Sequence, residues 1–165
     1  MLSGSPPDRR DLAMDRRAVL AALAALPVPV LVPRSLAAWP LTAFEHEVAL
    51  GGRDPVSYFD PEGPVAGDPG IALLWRRATW RFANRESRAR FEAHPTAFAP
   101  AYGGYCALAM ASGRRVPGMP EAWALHAGRL YLCRDRMALS RWQTNPAPLV
   151  TEADAHWAKM LDGGL

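Results

Sequence analysis

Cys106, Met110 and His94 are the residues of this chain whose types and spacing point most directly to chemistry. Cys106 follows Gly103, Gly104 and Tyr105. Two glycines permit a tight turn that leaves a neighbouring sulfur approachable, as a metal ligand or a nucleophile requires. Met110 lies four residues on and shares a face with Cys106 if the segment is helical. A thiolate and a thioether are soft donors suited to Cu(I) or another soft metal, and His94 adds an imidazole to the candidate set.

Two other readings of Cys106 stand beside this one. It is a redox or nucleophilic thiol, although no base lies next to it in sequence. Alternatively it is a small structural thiol beside Tyr105, in a domain whose exposed Arg and aromatic residues meet an unknown protein partner. Cys133 is the second and last cysteine, and the spacing leaves open whether the two form a disulfide. His46, His126 and His156 read as surface or packing residues. Asp54 and Asp60 each precede a proline and read as turn initiators. The chain has no C-x-x-C, H-E-x-x-H, Walker loop, dinucleotide Gly pattern or G-x-S-x-G elbow, so structural zinc, nucleotide and α/β-hydrolase chemistries lack their usual motifs.

The elements that must position these groups read as a small α+β domain of hairpins and short helices, with helices at the C-terminal end. Val48–Leu50 reads as a strand before a Gly51-Gly52 turn, and Pro55–Phe59 as extended chain. Ile71–Arg76 and Thr79–Ala83 are β-branched and aromatic runs separated by Arg77-Ala78, which predicts a first hairpin. Trp123–His126 and Leu130–Cys133 predict a second. Asn84 and Asp135 can cap helices that carry Phe91 and Trp142, and Leu149–Met160 predicts the last helix, with Trp157 and Leu161 on its buried face. Trp80, Phe82, Phe91 and Trp157 are expected to form one core. No internal repeat is read in the chain.

The first 38 residues have a different character. From Asp15 the chain reads as a charged start, an Ala- and Leu-rich run and a small-residue exit at Ser35-Leu36-Ala37, the order of a cleavable secretory signal. Arg16-Arg17 followed by Val19-Leu20 resembles a twin-arginine signal, with Asp15 and Ala21 as departures from it. Residues 1–13, ahead of Met14, read as a start-site extension. This division gives a signal at 1–38 and one domain at 39–165, which is expected in the periplasm with no stable membrane insertion after cleavage. The leader holds five Arg against three Asp, so most of the formal +3 charge lies there. The near-neutral remainder lacks the stripe of cations that nucleic-acid binding needs.

Four blocks then carry a family resemblance: GGRDPVSYF at 51–59, TWRFANRESRARFEAHPTAFAPAYGGYCA at 79–107, PEAWALHAGRLYL at 120–132 and ADAHWAKML at 153–161. In this order they resemble the YHS-domain proteins, in their exported single-domain branch. The resemblance implies an α+β module that binds copper or another heavy metal, and implies no enzymatic activity. The metal-pump branch of the family carries cysteines after its Asp-Pro-Val block and after its aromatic strand. This chain has Ser57 at the first place and Ala83 and Asn84 at the second, so a metal site must draw on the Cys106 block. The leader makes its own prediction. Replacing Arg16 and Arg17 by Lys is expected to block export, and terminal sequencing of the exported form should place the mature start at Ala38 or Trp39.

Overall fold

A computed structural model describes residues 42–44 and 47–163; the leader with Arg16 and Arg17, and also His46, lie outside the described residues. The fold is α+β, as the sequence leads one to expect. It contains a passage the sequence reading missed: the same run of elements occurs twice. In the first pass a 3-10 turn at Ala49–Gly52 leads to a hairpin of β1 (Asp68–Trp75) and β2 (Ala78–Phe82), then to α1 (Arg85–Ala93) and the short α2 (Pro95–Phe98). In the second a 3-10 turn at Ala101–Gly104 and the one-turn α3 (Ala107–Met110) lead to β3 (Met119–His126) and β4 (Arg129–Cys133), then to α4 (Arg136–Thr144) and α5 (Pro146–Gly163).

The correspondence extends to single residues. Both hairpins are antiparallel with a register irregularity at the same place, between Asp68 and Ala72 in one and between Met119 and Trp123 in the other. Asn84 accepts a hydrogen bond from the Ser87 N–H at 2.8 Å, and Asp135 accepts one from the Ala138 N–H at 2.6 Å. These caps satisfy donors that an α-helix otherwise leaves bare. Each capped helix ends two residues before a proline, Pro95 or Pro146, because the residue preceding proline is driven out of helical conformation. The repeat escapes a scan for identity because what recurs is physical role: a cap, a ring, an acceptor.

Several local expectations change. Ala49–Gly52 is a 3-10 turn and not a strand, with Leu50 and Gly51 left-handed, and Val56–Phe59 is 3-10 and not extended. The first hairpin turns at Arg76-Arg77, one residue earlier than expected. Leu161 is 37% exposed, so it does not share a buried face with Trp157.

Two apolar clusters form rather than one. Trp80 and Phe82 pack on Phe91 with ring centroids 5.0 and 5.3 Å away. At the matching places of the second pass, Tyr131 lies 5.0 Å from Trp142. Trp157 belongs with the second group, against Tyr102 and Tyr105, which corrects its expected place beside Trp80. The clusters are seamed by β4. Period-two alternation sends Leu130 and Leu132 into the first and Tyr131 and Cys133 into the second, so this strand is buried on both faces. Phe91 is fully buried and is the only ring that α1 contributes to the first cluster. Phe91→Ala is expected to cost about 3 to 5 kcal/mol, as large-to-small core substitutions do, read as a lowered denaturant midpoint.

Candidate functional site

The site begins at the second 3-10 turn. Tyr102 and Gly103 are left-handed there, and Gly104 follows at φ 89°, a conformation open to glycine at little cost. A side chain at Gly104 would run into the Phe44 ring. The glycine pair therefore shapes the backbone and admits an aromatic neighbour; it does not clear a path over the sulfur. The turn directs the next residues into a bridge between Tyr105 and Pro117, and the Cys106 N–H donates to the Val116 carbonyl at 2.8 Å.

Its counterpart in the first pass explains what that position is for. There Asp54 donates its N–H to the Val65 carbonyl at 3.0 Å. Its carboxylate, fully buried, accepts from the Val56 N–H at 2.8 Å and from the Ala83 N–H at 2.9 Å. One oxygen thus holds the chain just after Asp54 and the other holds the junction between β2 and α1. The sequence reading of Asp54 as a turn initiator covers only the first of these bonds. In the second pass Cys106 stands in the same place, and backbone N–H groups of Ala109, Arg134 and Leu108 donate to its sulfur. Leu108 and Arg134 correspond to Val56 and Ala83. Cys106 thus occupies a pocket whose first-pass version holds a carboxylate.

Cys133, at the end of β4, occupies the place of Phe82 and faces Cys106. Both are free thiols, 0% and 1% exposed for Cys133 and Cys106 respectively. The hydrogen bond from Cys133 and those from the backbone favour the Cys106 thiolate over the opposing effect of burial and lower its pKa to about 6. The same shared proton, together with burial, raises the pKa of Cys133. The two sulfurs behave as one group that readily loses a first proton and holds the second.

The other expected site residues fall in different places. Met110 is fully buried near the end of α3, its N–H bonded to the Cys106 carbonyl at 2.9 Å. Tyr105 is partly buried with its ring 6.5 Å from Trp157. His94 is exposed at the end of α1, in the first pass and apart from the cluster that holds the cysteines. His126 lies edge-on to Trp142, and the half-buried His156 has Nδ1 3.0 Å from the Glu152 carbonyl oxygen. Among the described residues no group of three or more His, Cys, Asp or Glu is placed to hold a metal ion, and no helix is long and apolar enough to cross a membrane. Cys133, whose pairing with Cys106 the sequence left open, is the residue that meets it, as a second free thiol. Its signal was present in the alternation of β4, which puts it on the face opposite Leu130 and Leu132.

No protein family, curated protein or solved structure matches the chain in sequence or fold.

The shared proton links stability to pH. A free thiol titrates at about 8.5, so between pH of about 6 and about 8.5 the folded pair has shed a proton that the unfolded chain keeps. A group whose pKa is depressed by folding stabilises the fold as pH rises through that window. Above it the unfolded chain loses the second proton, which Cys133 retains, and the gain recedes. The melting midpoint of the wild-type chain, measured against that of Cys106→Ser, is expected to rise from pH 6 to 8.5 and to fall back beyond it.

Proposed function

We propose that this chain is an exported, non-enzymatic binding module for a soft monovalent metal ion, Cu(I) foremost, held between the Cys106 and Cys133 sulfurs. One observation carries the reading: two free cysteines, both buried, are brought together in one cluster, Cys106 on the segment bridged to Leu132 and Cys133 next along that strand. A monovalent cation that displaces the proton shared by the pair leaves the net charge of the buried site unchanged, which avoids the cost of burying an extra charge. Thiolate sulfur prefers Cu(I) to harder ions. A structural zinc ion would call for about four ligands, and among the described residues no third His, Cys, Asp or Glu joins the pair. His94, exposed at the end of α1, leaves the ligand set, while Met110, buried in the same cluster as the two cysteines, stays in it as a third donor. The leader at 1–38 would carry the domain to the periplasm.

A second reading rests on the same adjacency. The two thiols can pass two electrons and two protons to an external disulfide, closing a Cys106–Cys133 bond while the oxidant leaves as two thiols. Closing that bond would remove the anion at which the Ala109, Arg134 and Leu108 N–H groups are aimed. The reduced form is therefore favoured, and the pair would be an oxidising one.

The discriminating experiment titrates the reduced, metal-free chain with Cu(I) against a competing chelator. Wild type is expected to compete, and Cys106→Ser and Cys133→Ser each to lose at least tenfold in affinity, while His94→Ala binds as wild type. Failure of the wild type to compete would remove copper from the account. Ready closure of the disulfide by a small disulfide oxidant, without copper affinity, would favour the second reading.

A further inference from the structure

Away from the cysteines, the tips of the two hairpins converge on the segment that connects the passes. Between them lies a cleft of about 220 Å³, lined by Trp75, Arg76, Thr96, Tyr102, Arg129 and Trp157 among others. Its two cations differ in standing. Arg129 is committed to Asp154 through two hydrogen bonds of 3.1 Å, and Asp154 also accepts from the Tyr102 hydroxyl at 3.0 Å. That charge is balanced, although a guanidinium has five N–H donors and two bonds leave others for a ligand. Arg76 sits with its guanidinium 4.5 Å from the centre of the Trp75 ring, and no carboxylate pairs with it among the described residues. The cleft therefore carries a surplus positive charge on an aromatic wall.

The backbone under Arg76 is unusual for its sequence. The turn between β1 and β2 places Arg76 at φ 48° and Arg77 at φ 63°, both left-handed. Two-residue hairpin turns of this kind favour Asn-Gly or similar pairs because side chains are strained there. The matching turn of the second hairpin uses Ala127 and Gly128. A strained arginine where glycine would be easier is the kind of outlier that clusters at ligand sites, and this conformation is what sets the guanidinium over Trp75 at the mouth of the cleft. Partial desolvation lowers the pKa of Arg76, so an approaching anion would restore what burial removes.

We propose that this cleft binds a small oxyanion, the carboxylate or phosphoryl group of a low-molecular-weight ligand, held between Arg76 and the spare donors of Arg129. The volume lies below the roughly 300 Å³ at which pockets for drug-sized ligands begin, which fits a small ligand. Independence from the cysteine pair follows from position, since neither Cys106 nor Cys133 lines the cleft.

The test titrates the full chain with acetate, benzoate and inorganic phosphate, each against sodium chloride at matched ionic strength. The readouts are tryptophan fluorescence and the indole N–H resonances of Trp75 and Trp157. Saturable shifts of these two resonances with at least one oxyanion, and not with chloride, are expected; the responding anion distinguishes carboxylate from phosphate. Arg76→Gly is expected to weaken that binding at least tenfold while raising the melting midpoint, because glycine relieves the turn. A response equal to that of chloride, or undiminished affinity in Arg76→Gly with its fold intact, would overturn the proposal. Cys106→Ser is expected to bind the oxyanion as wild type does, so failure here and failure of the copper site are separately visible.

Discussion

A buried acceptor just after a left-handed glycine turn organises both passes of this fold. In the first pass the Asp54 carboxylate ties its own turn to the start of α1 through Val56 and Ala83. The Val56 N–H lies where water is excluded and would otherwise lack a partner, and an unpaired buried donor costs about 1 to 3 kcal/mol. The hairpin, its following helix and the turn before them are therefore held at one point. Wherever this architecture is repeated, something able to accept hydrogen bonds must occupy that point.

In the second pass the occupant is a sulfur. A thiol is a poor acceptor and a thiolate a better one, so donors that suit a carboxylate favour ionisation of Cys106. Having Cys133 in the place of Phe82 adds a further donor. The chemistry proposed for this pair thus grows from a structural requirement: the position demands negative charge, and cysteine supplies it in a form that can also bind a soft metal or be oxidised. The carboxylate of Asp54 can do neither.

The seam along β4 gives the second constraint. Because Leu130 and Leu132 join a cluster otherwise built by the first pass, while Tyr131 and Cys133 face the second, the passes cannot separate without exposing the Leu130 and Leu132 face and the apolar residues it covers. The same arrangement brings the two hairpin tips to the connecting segment. It creates a cleft that neither pass forms alone, in which Arg76 and Arg129 come from different hairpins.

The sequence by itself determined what depends on near neighbours. The caps at Asn84 and Asp135, the helix ends before Pro95 and Pro146, the two hairpins and the packing of Trp80 and Phe82 on Phe91 follow from residue type and short-range periodicity. The alternation of Leu130 to Cys133 was likewise readable. Tertiary structure alone decided that Cys106 meets Cys133 rather than His94, that Trp157 joins the second cluster, and that Asp54 and Cys106 are equivalents. Those outcomes rest on hydrogen bonds and burial between segments far apart in the chain. Local patterning does not encode such contacts, and a carboxylate and a thiol share no likeness until a common set of N–H donors gives them the same role.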